Sequence, residues 1–155
     1  NVNLMSHIHS ARSVLPGMLQ QGSGYFVFTA SAAGLLSQIG SATYSVTKHA
    51  VVSFAEWLKI SYGKSGIGVS CSCPQFVRTP MTEGMPDSPG SDNIIEPEIV
   101  ANDVINAISN GKFLVTPHPE VLEYLQYKVS DYDAWISGMQ DLKDKFFPKL
   151  KDLKK

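Results

Sequence analysis

The sequence is short of most features that would narrow its reading at once. Only two of its 155 residues are cysteine, Cys71 and Cys73, too few for a disulfide framework. They alternate within one apolar run, on one side of a presumed strand and at or beyond comfortable disulfide reach. Two buried free thiols in a reducing compartment are the expectation, and with them a cytoplasmic location. The net charge is −1, which gives no electrostatic reason to expect nucleic acid or an anionic membrane as a partner. No apolar run approaches the ~18–20 residues of a membrane span. His7 and His9 face different ways on a helical stretch, with no cysteine or carboxylate beside them at a ligand spacing, so no metal is expected. Neither Gly-x-Gly-x-x-Gly nor Thr-Gly-x-x-x-Gly-x-Gly occurs; Gly63, Gly66 and Gly68 stand in the wrong order, between a helix and a strand. The chain opens Asn1-Val2-Asn3-Leu4-Met5, without an initiator methionine and already inside a helical pattern. A piece of a longer protein is the expectation.

What is present reads as an α/β chain of one domain's size, 43% hydrophobic and 17% charged. Leu4, Ile8, Ala11, Leu15 and Met18 recur at helical steps, which predicts a helix from before Asn1 to about Gln20, bent or tightened near Pro16-Gly17. Tyr25-Phe26-Val27-Phe28 is continuous and apolar, as in a strand buried on both faces of a parallel sheet. A run of small residues, Ala30 to Gly34, follows. A helix over Ala42 to about Tyr62 presents Val46, Ala50, Phe54 and Leu58 on one stripe. Gly68 to Cys73 is a second strand, stopped by Pro74. From Gln75 to Ile95 turn signals dominate, and so long an irregular segment suggests a functional lid. A helix from Pro97 to about Asn110 carries Ile99, Val100, Val104 and Ile108, and Phe113-Leu114-Val115 is a third strand. Glu120 to Lys155 reads as helical with a break near Pro148, its lysine-rich end a solvated helix terminus. Strand–helix–strand alternation predicts an open parallel sheet with right-handed crossovers, whose site lies at the carboxyl ends of the strands.

Ser31, Thr79 and Pro117 all follow such ends. Tyr44 and Lys48, four apart, share a helix face. A phenol titrates near pH ~10, and a neighbouring ammonium favours its ionised form. Ser31, thirteen residues before Tyr44, adds a hydroxyl donor. The spacing alone is weak, because Tyr124 and Lys128 repeat it in a charged, solvent-facing helix with no strand end or serine upstream. That second pair is assigned to packing and surface. His49 is assigned to packing or an interface, and Met81 and Met85 to lid packing or to contact with an apolar substrate.

In these motifs the sequence resembles the short-chain dehydrogenase/reductase family. Asn3, Ser31, Tyr44 and Lys48 follow the order of that family's catalytic tetrad. Val2-Asn3-Leu4, Thr29-Ala30-Ser31-Ala32 and Tyr44-Ser45-Val46-Thr47-Lys48-His49-Ala50 match its flanking text. Cys73 to Met81 resembles its nicotinamide-lining segment, with Gln75 where glycine is usual.

The resemblance covers residues 1–116 and implies the C-terminal part of a Rossmann-like doubly wound parallel sheet, its first strands missing. The chain is then one incomplete NAD(P)-binding domain, with a core over 1–116 and a helical extension over 117–155. Tyr44 would act as general acid or base and Lys48 would lower its pKa. Ser31 would donate to the carbonyl or alkoxide oxygen, and Asn3 would hold a relay water. Tyr44, Lys48, Pro74, Val77 and Thr79 would bind NAD or NADP. The implied activity is oxidoreduction of a small carbonyl/alcohol pair, in a homodimer or homotetramer. Two rivals stand beside it: a related epimerase or dehydratase, and a non-catalytic binding module of the same fold.

Overall fold

The computed structural model describes residues 2–84 and 88–148. Leu15 and Met18 turn toward the core from helix α1 (Met5–Gln21), with Leu4 just ahead of it, and Ala11 is buried there. The helix begins later than the sequence pattern implies. Leu4 has left helical geometry (φ −128°, ψ −56°), so Val2 to Leu4 form a turn, and α1 starts with no side-chain cap. It runs unbroken through Pro16 and stops at Gly22, whose positive φ of 72° lets its N–H bond back to the Leu19 carbonyl.

Strand β1 (Gly24–Thr29) then pairs in parallel with β2 (Ile67–Ser72), and β2 pairs in parallel with β3 (Leu114–Val115), giving the order β1-β2-β3. Phe26 and Phe28 point into the core beside Val69 and Cys71, their partners in register. Val27 points the other way and is 42% exposed. Burial on both faces therefore does not hold for β1. It is an edge strand among the described residues, and the face opposite Phe26 and Phe28 stays open at Val27 and Thr29.

Helix α2 (Ala42–Tyr62) lies over β1 and β2 and buries Val51, Val52, Ala55 and Leu58. Of the stripe Val46, Ala50, Phe54 and Leu58, the last two meet the core, and the expectation is corrected at Val46. A strict four-residue step drifts around a helix of 3.6 residues per turn, and Val46 ends up exposed. The same drift acts in α3 (Pro97–Ser109), where Val100, Val104 and Ala107 turn inward and Ile99 and Ile108 stay exposed.

The C-terminal helices are two, α4 (Glu120–Ser130) and α5 (Tyr132–Phe146). They divide at Asp131, not first at Pro148. Asp131 is extended (φ −150°, ψ 94°), and its carboxylate accepts the Ala134 N–H at 2.9 Å, an N-cap that starts a new helix. Val121 of α4 and Trp135 of α5 close a second apolar cluster over Ala32 and Leu36. No described helix is long and apolar enough to cross a membrane. Much of the lysine-rich end, from residue 149 on, lies outside the described residues.

Candidate active site

β1 delivers Ser31 to the rim. Pairing with the second strand continues past the strand end: Ala30 N–H bonds to Ser72 O at 2.8 Å, and Ala32 N–H to Pro74 O at 2.8 Å. Ser31 is buried and extended between them. Its Oγ accepts the Ala33 N–H at 3.1 Å, capping a single 3-10 turn (Ala32–Gly34), and makes a long hydrogen bond of 3.5 Å to Pro74 O. Gly34 is then pressed against α2. A Cβ there would stand 2.7 Å from the Lys48 carbonyl oxygen, a backbone atom that has no way to yield. Glycine is what lets the Ser31 turn sit directly on the helix that carries Lys48.

The connecting loop is held from the other side. Ser45 Oγ accepts the Gln38 N–H at 2.7 Å and returns a bond to Gln38 O at 3.3 Å. Between these pins Ser37 sits at φ 83°, the one described non-glycine residue in the left-handed region. Strain of this sort persists only where neighbours enforce it. His49 Nδ1 lies 2.9 Å from Ser45 O, within the same helix.

Tyr44 and Lys48 share one face of α2, with the Lys48 ammonium 5.6 Å from the Tyr44 ring centroid. Lys48 Nζ donates to Thr29 O at 3.1 Å, so it reaches the carboxyl end of β1 just before Ser31. Burial lowers the Lys48 pKa; the neighbouring thiols Cys71 and Cys73 act in the opposite sense. The two thiols are free and buried. A hydrogen bond between them pushes Cys71 up and Cys73 down.

Pro74 is brought to Ser31 through its carbonyl. Val77 forms a parallel bridge with Ile95 that closes the base of the long loop, supported by Arg78 N–H to Ile95 O (2.8 Å) and Ile95 N–H to Phe76 O (3.1 Å). Thr79 is occupied within its own turn: its N–H bonds to Thr82 Oγ1 at 3.0 Å, and Thr82 Oγ1 in turn donates toward Val77 O and Thr79 O. Gln75, standing where glycine is usual, has an ordinary backbone conformation, so no glycine is required there. Met81 is 85% exposed, and Met85 lies outside the described residues. Asn3 is not drawn in. It is exposed in the turn before α1 and makes no side-chain hydrogen bond with a described residue.

The second Tyr-x-x-x-Lys pair corrects one expectation. Lys128 does not face solvent: it is 7% exposed, donates from Nζ to Leu35 O at 2.6 Å and lies 5.4 Å from the Tyr132 ring centroid. Helix α4 packs over the second apolar cluster, and a long side chain on that face must run inward to a carbonyl. The sequence reading also passed over His118, which is fully buried beneath the loop. Its only sequence signal is its place between Pro117 and Pro119, just past a strand end.

Residues 1–89 match the family model for short chain dehydrogenase, more than half of the chain. The chain belongs to the short-chain dehydrogenase family. Among curated members it is 31% identical over 145 residues to the oxidoreductase UcpA of Escherichia coli (strain K12), covering 93% of this chain and 53% of that protein. It is 34% identical over 139 residues to 1-deoxy-11-beta-hydroxypentalenate dehydrogenase of Streptomyces exfoliatus, covering 88% and 50%. A short-chain dehydrogenase/reductase from Burkholderia phymatum, solved in complex with NAD, superposes with a TM-score of 0.70 at 29% identity, over 86% of this chain and 57% of that one. A family member from Sphingobium yanoikuyae, solved with NADPH, shares the fold at 21% identity (TM-score 0.67), over 92% and 53%. The chain thus spans about half the length of the curated family members it matches. Its three-stranded parallel sheet is part of the family's Rossmann-like fold.

Proposed function

We propose that this chain carries the acid–base part of an NAD(P)-dependent oxidoreductase that interconverts a carbonyl and an alcohol. One observation carries the reading. Lys48 lies 5.6 Å from the Tyr44 ring centroid and is anchored at 3.1 Å to Thr29 O, two residues before Ser31. A phenol beside an ammonium and a hydroxyl at one strand end is the donor set that proton transfer to a developing alkoxide needs.

The residues present fit one end of a nicotinamide cofactor. An ammonium has three N–H donors, and Lys48 commits one to Thr29 O, which leaves two for ribose hydroxyls. Pro74, Val77 and Thr79 offer the backbone and hydroxyl groups of the segment beside Ser31. No glycine-rich phosphate turn occurs in the sequence, so this chain would hold the nicotinamide–ribose end alone. The cofactor, when bound, supplies or accepts the hydride. Tyr44 exchanges the proton at the substrate oxygen, Lys48 stands beside its ring with donors for the ribose, and Ser31 donates to the same oxygen. Asn3, exposed in the turn before α1, belongs to this reading as the holder of a relay water. A homodimer or homotetramer in the cytoplasm completes it. Val46, Trp57 and Ile60, exposed on α2, support association through that helix.

The test is Tyr44→Phe in the protein that carries this chain. Turnover with NADH or NADPH should fall by at least about 10²-fold, the usual worth of a positioned acid or base, while cofactor affinity is kept. Unchanged turnover overturns the reading. Titration of the chain itself with NADH and NADPH should show weak binding of either.

A further inference from the structure

His118 takes no part in the chemistry proposed above, yet it is 0% exposed and both of its ring nitrogens are engaged. Gln75 N–H donates to Nδ1 at 3.1 Å. An amide N–H only donates, so Nδ1 must present its lone pair. Nε2 lies 3.1 Å from Phe76 O and 3.1 Å from Asn93 O. Carbonyls only accept, so Nε2 carries the hydrogen. The ring is therefore neutral and confined to one tautomer by three backbone groups.

Those groups belong to both legs of the loop between β2 and α3. Gln75 and Phe76 are on the leg leaving β2, and Asn93 is on the leg returning to α3. The same legs meet at the Val77–Ile95 bridge. Asn93 is held a second time, by its side chain on Glu120 at the start of α4. Gln75 follows Pro74, whose carbonyl accepts from Ala32 N–H and Ser31 Oγ. From the end of β3, one imidazole thus fixes the segment that lies against Ser31.

We propose that His118 is a positioning residue, a clamp that sets Pro74 to Val77 against Ser31 and so fixes the nicotinamide-facing wall of the site. The role toward the cofactor rests on the function proposed above; the clamp does not. His118→Phe keeps a ring but has neither donor nor acceptor, whereas His118→Gln keeps both. In the chain itself, His118→Phe should speed hydrogen exchange of the Gln75 amide by about tenfold, the scale of one lost hydrogen bond, while the Val51 and Val69 amides stay protected. His118→Gln should restore much of that protection. In the protein that carries this chain, His118→Phe should raise the KM for NADH or NADPH roughly tenfold with a smaller change in kcat, because a displaced wall misplaces its ligand.

A wild-type 15N spectrum reads the clamp without any variant. The Nε2–H tautomer is expected, and an Nδ1–H tautomer overturns the proposal even where His118→Phe fails to fold. Unchanged Gln75 exchange in a folded His118→Phe also overturns it. Faster exchange with an unchanged cofactor KM overturns the positioning role. Absence of NAD(P)H-dependent turnover in the wild type counts against the proposed function instead, since the exchange and tautomer results still decide the clamp.

Discussion

Two lysines in this chain, each four residues after a tyrosine, grip the same short segment from opposite ends. Lys48 donates to Thr29 O, just before Ser31, and Lys128 donates to Leu35 O, just after the turn that Ser31 caps. Their surroundings differ. Lys48 is only partly buried and keeps donors to spare beside Tyr44, whereas Lys128 is buried and its aromatic neighbour is Tyr132, at the start of α5. Tyr124, the tyrosine that completes the second spacing match, is 44% exposed. One lysine keeps an open donor face beside an aromatic ring. The other holds the fold shut.

The widest separation should be in turnover. Where Tyr44→Phe costs at least about 10²-fold, Tyr124→Phe should leave turnover within about twofold, because no proton transfer depends on it. Equal losses in the two variants would erase the distinction. In stability the order should reverse. Lys128→Met removes the donor to a half-buried carbonyl and should lower the unfolding free energy by about 1–3 kcal/mol in urea titrations. Lys48→Met should cost less, since Thr29 O can turn to water, yet it should abolish the proposed activity. A Lys48→Met variant less stable than Lys128→Met would break the contrast.

Why only one of these lysines was legible in the sequence follows from what surrounds each. Tyr44 and Lys48 come with Ser31 and the small-residue run, signals that are local in the chain. The limits of α2, Ala42 and Tyr62, match expectation for the same reason, since glycine and serine bracket an apolar helix on both sides. Lys128 meets Leu35 across 93 residues of chain, and no local pattern encodes that meeting. His118 is hidden in the same way: its partners are Gln75, Phe76 and Asn93, and a histidine between two prolines reads as an ordinary turn. The stripe expected on α2 holds at Phe54 and Leu58, which meet the core, and fails at Val46, which drifts out to solvent because four-residue steps overrun the helical turn. Asn3, named by the resemblance, stands exposed in the turn before α1 and makes no side-chain hydrogen bond with a described residue.

A glycine comparison sharpens the contrast between the site and the C-terminal helices. Gly34→Ala would drive a Cβ to 2.7 Å from Lys48 O and 3.0 Å from Val52 Cγ2, and should cost about 1–3 kcal/mol, as overpacking does. Gly138→Ala in α5 meets nothing within 4 Å. It should stabilise by up to about 1 kcal/mol through helix propensity. Urea midpoints of the two variants on opposite sides of the wild type are the expected result. A neutral Gly34→Ala would mean that the Ser31 turn does not bear on α2 as described.

The smallest effect separates the two lysines by their fields. His7 stands on α1 with its ring in a T-shaped contact with Phe28, centroids 5.5 Å apart. Its pKa is lowered from 6.5, first by partial burial and then by the positive charge of Lys48. The native state therefore binds this proton less readily than the unfolded chain does. Stability should be full above pH 6.5, and as pH falls below that value the unfolded chain takes up the proton first, so stability declines until the folded value is passed. His7→Gln should remove this slope from a series of thermal melts. Lys48→Met should move the His7 titration, followed by NMR, back toward 6.5 without reaching it, because burial, the larger cause, remains. Lys128→Met should leave it where it is, since Lys128 has no part in lowering it. A His7 titration that moves with Lys128 and ignores Lys48 would place the wrong lysine beside Phe28 and the end of β1.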